Sequence, residues 1–332
     1  MVTHRNCVLV SATFLCCLTG LGQQSPVSAS AQAPATSRVP VPFAVAIKKA
    51  VVFFETDCLK DGTMVSHLAT AFILVQPDER LGKDRGFQYL VTNRHAAQPC
   101  IEEDTPCQVT NYAVKVNVRS NDPTGSSAAT RILLGPNLPW VFPGDPAVDL
   151  AIIPFGADQS KVDFEPIPAT MLATEDVVKA NGIGEGDPVI FTGLFVQVQG
   201  LKKLEPIVRQ GTIAMMPDEP IGTTLKKPGN LYLADVHVFG GNSGSPMFVN
   251  LGGFRNGRMV AANDYKLLGV ISGYEEEDTN LNLQAATTYS GKLSLNSGVA
   301  SVVPAKELDT LLNSAQLQAQ RDMVVKQGAG LR

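Results

Sequence analysis

The stretch VFGGNSGSPMFV, residues 238–249, surrounds Ser243 with three glycines and ends in a short apolar run. Glycine weakens strand and helix interiors, because it loses more backbone freedom on folding than any other residue. A cluster of glycines therefore indicates a tight turn or a close approach to the backbone. Taken alone, the stretch fits two interpretations: a polar turn between strands, or a nucleophilic serine on a turn whose amides point at a substrate.

The composition indicates a folded, globular protein. Of the 332 residues, 44% are apolar and 17% are charged, which is typical of a chain that buries a core rather than of a disordered one. The formal net charge of −4 and the absence of any Lys/Arg block give no reason to expect a nucleic-acid partner.

The sequence between residues 50 and 303 predicts two all-β halves. Short apolar, β-rich segments recur between Gly, Pro, Asn and Asp residues, which favours barrels or a sandwich over alternating βα units. A linker-like stretch, 158–187, separates the two sets of segments. One helix is predicted at the C-terminus, over 304–327, where Pro304 suits a first helical turn and apolar residues recur at helical spacing.

The N-terminus has the pattern of a secretory signal peptide. Arg5 precedes an apolar run, 7–22, and small residues follow at a spacing suited to cleavage after Ala31. The expected organisation is a signal peptide over 1–31 and a Pro/Ala-rich linker over 32–45. The sequence therefore predicts a secreted or periplasmic protein with no stable membrane insertion once the signal is removed.

Three cysteines remain after signal removal. In an oxidising compartment Cys100 can pair with Cys107, and Cys58 with Cys100 is the competing pair. The spacing does not separate these alternatives. No C-x-x-C or paired-histidine spacing occurs, so no metal site is expected.

A nucleophilic Ser243 needs a base, because a serine hydroxyl is hardly ionised at neutral pH. Outside the signal the chain has His67, His95 and His237, and His95 follows an apolar strand in QYLVTNRHAA. Such a base in turn needs a carboxylate to hold its tautomer. Asp149 opens the apolar run DLAIIPF, where an aspartate has little structural reason to lie.

These motifs resemble those of the chymotrypsin/trypsin-like serine peptidases. GNSGSP (241–246) is similar to their G-D-S-G-G-P signature, VTNRHAA (91–97) to T-A-A-H, and DLAII (149–153) to D-I-A-L-L, in the same order along the chain. The resemblance implies two six-stranded antiparallel β-barrels with a C-terminal α-helix. The implied boundaries are an N-terminal barrel over 46–170, a C-terminal barrel over 171–304, and a helix and tail over 305–332.

The resemblance also implies a mechanism without a cofactor. Ser243 is the expected nucleophile, His95 the expected base, and Asp149 the residue that orients it, acting on a protein or peptide substrate through an acyl-enzyme. The backbone amides of Gly241 and Ser243 are the expected oxyanion hole.

The substrate-binding residues implied by the resemblance are His237, Ser272, Gly273 and Tyr274. His237 takes the floor position of the specificity pocket, and the other three form the facing wall in LGVISGY (268–274). With no carboxylate at the floor, a buried cationic side chain would lack a partner. Two outcomes are open for the P1 residue, the side chain on the acyl side of the scissile bond. A protonated His237 that faces the pocket would favour an acidic P1 residue, whereas a His237 that points elsewhere leaves a modest pocket for an apolar one. We expect the apolar preference.

Departures from the family pattern narrow the class. Asn242 replaces the aspartate that pairs with a new N-terminus on zymogen activation, and Ser245 replaces a glycine. The chain therefore more closely resembles bacterial envelope proteases and their viral relatives, and it resembles high-temperature-requirement proteases without a PDZ domain. An α/β-hydrolase is excluded, because its G-x-S-x-G motif needs glycine at position 245. A catalytically silent fold that acts as a secreted binding module stays open as the alternative.

Overall fold

The predicted β segments of the first half form one sheet. The computed structural model describes residues 41–83, 85–101, 107–119, 128–156, 158, 160–284 and 288–329, so the predicted signal peptide lies outside it. The seven strands of this sheet are β1 (Val51–Lys60), β2 (Thr63–Pro77), β3 (Gly86–Thr92), β4 (Gln108–Asn117), β5 (Ala129–Gly135), β6 (Ala151–Pro154) and β7 (Ile167–Pro168).

Six of these strands pair antiparallel in the order β5-β4-β1-β2-β3-β6, and short β7 runs parallel to β2. The β1–β2 hairpin turns at Asp61 and Gly62, which both have positive φ, at +49° and +76°. Asp-Gly in this conformation is a favoured two-residue turn, because its twist matches that of the strands it joins.

The second half contains a closed barrel. The described strands of this half are β8 (Pro188–Gly193), β9 (Ile207–Met215), β10 (Ile221–Gly222), β11 (Pro228–Gly229), β12 (Tyr232–Asp235), β13 (Pro246–Asn250), β14 (Gly253–Arg255), β15 (Arg258–Val260), β16 (Tyr265–Gln284) and β17 (Thr288–Pro304), and six of them form the barrel. The barrel closes in the order β12-β17-β16-β13-β8-β9, and β10–β11 and β14–β15 form separate hairpins. The predicted all-β fold, with a six-stranded antiparallel barrel and a C-terminal helix, is confirmed. Among the described strands only the second half closes into a ring.

Five α-helices complete the described chain: α1 (Phe43–Ala46), α2 (Arg94–Ala97), α3 (Glu175–Asn181), α4 (Ala305–Leu312) and α5 (Ala315–Ala329). Three short 3-10 helices span Ile47–Ala50, Glu79–Leu81 and Ala169–Met171. Within the described residues, none of these helices has both the length and the apolar character needed to cross a bilayer.

Two helices differ from the sequence prediction. The C-terminal helix is interrupted, because Asn313 donates its side-chain amide to the Asp309 carbonyl and Ser314 accepts from the Leu317 amide to start α5. Helix α3 lies within the stretch read as a linker. Thr174 caps its N-terminus, and Gly182 ends it in the left-handed conformation at φ +59°. A threonine N-cap and a glycine C-cap are common at helix ends. The helix between them is too short for its apolar residues to show a helical period in the sequence.

The two halves share one core. A single buried cluster contains Phe53 and Phe72 from the first sheet, Phe248 from the barrel, and Leu308 and Leu312 from α4. The C-terminal helix therefore covers the core rather than forming a separate unit. Continuous packing of this kind fixes the relative position of residues contributed by the two halves.

Of the two pairings that the sequence left open, the structure contains the Cys100–Cys107 disulfide. Cys58 lies buried in β1 and keeps its thiol.

Helix α1 is held against the barrel by aromatic packing. Phe43 stacks on Tyr265 with ring centroids 3.8 Å apart, and it meets the edge of Phe248 at 5.1 Å. Part of the expected linker, 32–45, thus packs against the core.

We expect Phe43→Ala to lower the free energy of unfolding by about 2 kcal/mol, since it removes a half-buried aromatic ring and two ring contacts. Val45→Ala is the matched control, because Val45 lies in the same helix with 54% of its surface exposed. Urea unfolding measures both changes. Equal losses for the two variants would show that α1 does not contribute through Phe43.

Candidate active site

Helix α2 brings His95 to Asp149. Strand β3 ends at Thr92, and the buried Asn93 that follows donates its side-chain amide to the Asp149 carbonyl at 2.8 Å. The helix is also tied to β1, because the Thr56 hydroxyl donates to the Ala96 carbonyl at 2.8 Å. The short helix is therefore anchored on both sides of the histidine.

The His95 ring lies in direct contact with the Asp149 carboxylate. Nδ1 of His95 is 2.7 Å from Oδ2 of Asp149, and the His95 amide donates to Oδ1 at 3.0 Å. An ionised carboxylate only accepts hydrogen bonds, so Nδ1 carries the proton and Nε2 of the neutral ring is left as an acceptor. Asp149 has 1% of its side chain exposed and His95 has 32%, so the imidazole is accessible while the carboxylate is not.

Two hydroxyls from the second half complete the surroundings of Asp149. Ser272 donates to Oδ2 at 2.5 Å, and Oγ1 of Thr224 lies 3.2 Å from the same oxygen and 2.5 Å from Oγ of Ser272. Burial acts to raise the pKa of Asp149, but attraction to His95 and hydrogen bonds from His95 and Ser272 outweigh it. The pKa of Asp149 therefore lies below its ordinary value, and the carboxylate is ionised at neutral pH.

Ser243 is connected to Asp149 through Ser272. Its hydroxyl donates to the Ser272 carbonyl at 3.2 Å, while the Ser272 hydroxyl bonds to Asp149. One residue of β16 thus connects Ser243 to the carboxylate that holds His95. Contacts through Ser272 thus link Ser243 to Asp149 and His95 across the two halves.

The loop before β13 leaves two amides available. Among the described residues, the N–H groups of Gly241 and Ser243 donate no hydrogen bond, whereas those of Asn242, Gly244 and Ser245 all do. Gly241 and Gly244 have φ of +94° and +86°, a conformation that residues with side chains rarely adopt. The glycines therefore give the loop a shape in which two alternate N–H donors stay unsatisfied.

Thr70 of β2 fixes this loop to the first sheet. Its amide donates to the Ser243 carbonyl at 2.8 Å, and its hydroxyl donates to the Gly241 carbonyl at 2.7 Å. The same hydroxyl accepts from the Leu194 amide at 2.9 Å. A Cβ on Gly244 would collide with the Thr70 carbonyl, so the loop and the strand are in close contact.

The two departures from the family signature are both accommodated in the interior. Asn242 is fully buried; it donates to the Leu194 carbonyl and accepts from the Phe239 amide at 2.8 Å. Its polar atoms are therefore satisfied without a charged partner. Ser245 is also buried, and its hydroxyl fits only because Gly193 has no side chain, since a Cβ there would collide with it.

Of the residues predicted to bind substrate, Ser272 contacts Ser243, and Gly273 and Tyr274 follow it on β16. Strand β13 accompanies β16 only as far as Val270, while Gly273 and Tyr274 pair with β17 on the other side. His237 is exposed, and its ring lies against Gly298 at the start of the final apolar segment.

No protein-family model matches the chain, and no curated protein sequence matches it. Solved structures do. The chain is similar to HtrA-type proteases. The structure of the HtrA-type protease AlgW with a tripeptide is 16% identical with a TM-score of 0.44, and the match covers 81% of this chain and 62% of AlgW.

AlgW with decapeptide is 17% identical with a TM-score of 0.41, covering 81% of this chain and 65% of AlgW. A crystal structure of Deg5 is 17% identical with a TM-score of 0.40, covering 69% of this chain and 81% of Deg5. This chain thus spans a little under two thirds of the AlgW chains. Likeness to HtrA-type proteases at this level supplies no residue roles, which must come from the contacts of this chain itself.

Sequence reasoning missed two residues at this site. Thr224 lies between the small strands β10 and β11, and nothing in its local sequence indicates that it reaches Asp149. Thr70 lies in β2, and its sequence position does not indicate that its hydroxyl bonds to Gly241 and Leu194. For Ser272 the sequence predicted a wall position only, and the contact with Asp149 is an addition.

We expect Thr70→Val to lower the free energy of unfolding by about 2–4 kcal/mol, because the Gly241 carbonyl and the Leu194 amide would both lose a buried partner. Thr70→Ser keeps the hydroxyl and is the matched variant, with a loss near 1 kcal/mol or below. Urea unfolding distinguishes them. If the two variants lose the same amount, the hydroxyl is not what fixes the loop.

Proposed function

We propose that the protein is a serine endopeptidase in which His95, Asp149 and Ser243 act together. The observation that carries the proposal is the 2.7 Å contact between His95 Nδ1 and a buried, ionised Asp149 to which Ser243 is connected through Ser272. A carboxylate that holds a histidine tautomer next to a serine hydroxyl is the arrangement that activates serine for acyl transfer.

In the proposed reaction Ser243 Oγ attacks the scissile carbonyl and Nε2 of His95 takes its proton. Asp149 keeps the ring oriented and stabilises the imidazolium that forms. The hydroxyl must first turn from the Ser272 carbonyl towards His95, a rotation about one side-chain bond. His95 then returns the proton to the leaving amine, and water releases the acyl group by the same steps in reverse.

The unsatisfied N–H groups of Gly241 and Ser243 are the proposed oxyanion hole. Donors whose positions are already fixed stabilise the charge that develops on the carbonyl oxygen, and losing one typically lowers the rate by about a hundredfold or more. Thr70 contributes indirectly, since it holds the carbonyls of the same two residues.

We propose that the substrate is a protein or peptide bound in extended form beside Ser272, Gly273 and Tyr274. Strand β16 lacks its β13 partner from this point on, so its edge can pair with a substrate backbone. The net charge of −4 gives no support for a nucleic-acid partner.

For the P1 residue we propose an apolar preference. Trypsin-like enzymes that cleave after Lys or Arg carry an aspartate at the position that His237 takes in this sequence. The chain therefore has no carboxylate at that position. A buried cation there would lose hydration without gaining a partner.

We further propose that the protein acts after export. The apolar N-terminal run and the small residues before Ala31 support secretion or transfer to a periplasm, and the Cys100–Cys107 disulfide supports an oxidising compartment.

One observation favours the alternative, a catalytically silent binding module. The Ser243 hydroxyl donates to the Ser272 carbonyl rather than pointing at the histidine. A folded protein that binds peptides without cleaving them would have this arrangement permanently, whereas a peptidase leaves it during turnover.

A fluorophosphonate probe separates the two functions. We expect it to label Ser243, with labelling abolished in Ser243→Ala and lowered by about a thousandfold or more in His95→Ala, because the hydroxyl then has no base. Ser160→Ala, a change at an exposed serine remote from the site, should label as the parent does. Absence of labelling in correctly folded parent protein would support the binding module instead.

Matched peptides differing only at P1 test the specificity proposal. We expect kcat/KM to be higher after Val, Leu or Ala than after Lys or Arg by about tenfold or more, since an unpaired buried cation is costly. Faster cleavage after Lys or Arg would show that the proposed pocket chemistry is wrong while leaving the serine mechanism intact.

A further inference from the structure

Three chemically reactive side chains meet at one end of β1, away from the proposed catalytic residues. Cys58 lies opposite Val65 of β2 and Val109 of β4. His67 and Cys107 are each two residues from those partners, so alternation places all three side chains on one face of the sheet. Cys107 directly precedes β4 and is therefore not fixed by ladder hydrogen bonds.

The reactive atoms of these residues are close together. The sulfurs of Cys58 and Cys107 and an imidazole nitrogen of His67 all lie within 4.8 Å of one another. Cys107 is bonded to Cys100, while Cys58 carries a thiol. In the described part of the chain, the buried Nε2 of His67 has no hydrogen-bond partner. A thiol, a base and a disulfide thus lie side by side.

We propose that this cluster is an intramolecular thiol–disulfide exchange site. His67 takes the proton from Cys58, and the Cys58 thiolate attacks the sulfur of Cys107. The Cys58–Cys107 bond forms as the Cys107–Cys100 bond breaks, and the leaving Cys100 thiolate takes the proton from His67. The step is an isomerisation, so it consumes no oxidant or reductant.

A divalent metal is the other ligand that this donor set suggests. It would need Cys107 as a thiolate, and Cys107 is part of a disulfide here. The exchange reaction uses the residues in the oxidation state that they have, and the observations therefore favour it.

Exchange replaces the buried thiol of Cys58 with a more accessible thiol on Cys100. Cys58 is fully buried, whereas Cys100 is half-buried at the surface beyond α2. Cys100 also has a φ of +65°, which disfavours a residue with a side chain, and release from the disulfide lets its backbone relax. The product thus offers Cys100 as a site for modification by small disulfides or electrophiles.

The exchange leaves the proposed catalytic histidine in place. Helix α2 is held independently of the disulfide, because Thr56 donates to the Ala96 carbonyl and Tyr112 donates to the Ala97 carbonyl at 2.6 Å. The site is therefore a property of the fold that does not depend on the proposed peptidase activity.

The test is to trap the released thiol. The full chain, purified without reductant, is kept folded with N-ethylmaleimide at about pH 8, near the ordinary pKa of a thiol. It is then quenched in acid and digested under non-reducing conditions for peptide mapping. We expect N-ethylmaleimide on Cys100 together with a Cys58–Cys107 cross-link, both increasing over hours.

Cys58→Ser is the decisive control. Without the attacking sulfur, the Cys100–Cys107 disulfide should persist and labelling of Cys100 should fall by at least about tenfold. Thiols in the N-terminal segment could also attack the Cys100–Cys107 disulfide. Both proteins carry them, so the difference in Cys100 labelling between the two proteins reports attack by Cys58. Labelling of Cys58 alone in the parent, with Cys100–Cys107 intact throughout, would overturn the proposal, as would equal Cys100 labelling in the two proteins.

His67→Gln tests the base. The variant keeps a polar side chain but cannot take the thiol proton at this pH, so the Cys58–Cys107 cross-link should accumulate more slowly, by about tenfold. Unfolding measured alongside confirms that the variant is folded. An unchanged rate in folded His67→Gln protein would overturn the role assigned to His67.

Discussion

The buried hydroxyl of Thr70 is the interaction on which the arrangement of the candidate site depends. It belongs to the first sheet, yet it satisfies the Gly241 carbonyl and the Leu194 amide of the second half. A buried hydroxyl with both a donor and an acceptor in place stabilises the fold, and each partner left alone would be costly. The loop that carries Ser243 is therefore built by the barrel but positioned by the neighbouring sheet.

The buried charge of Asp149 also needs hydrogen-bond partners from both halves. A carboxylate with 1% of its side chain exposed is stable only when its oxygens accept enough hydrogen bonds. Here the donors come from both halves: His95 from the first, and Ser272 and Thr224 from the second. Satisfying one buried charge thus requires the halves to meet in one geometry, and that geometry also connects Ser243 to Asp149 through Ser272.

The sequence was sufficient for what depends on local pattern. Apolar segments predicted the strands around Phe53 and Phe248, and the glycines around Ser243 indicated a tight turn. The sequence did not predict contacts between distant segments. Thr224, for example, reaches Asp149 from a loop of ordinary composition. The break between α4 and α5 was missed because one asparagine and one serine outweigh an otherwise continuous helical spacing. The contact between Thr224 and Asp149 depends on tertiary packing, which a single sequence does not display, whereas the helix break depends on local side-chain hydrogen bonds.

The central claim is that Ser243 and two backbone amides act on one carbonyl carbon. A crystal structure of the protein after reaction with a fluorophosphonate tests it most directly, since the bound phosphorus takes the place of the tetrahedral carbon. The account predicts phosphorus on Ser243 Oγ and one phosphoryl oxygen within about 2.7–3.1 Å of both the Gly241 and the Ser243 nitrogens. An adduct on another residue, or a phosphoryl oxygen directed away from both amides, would contradict it.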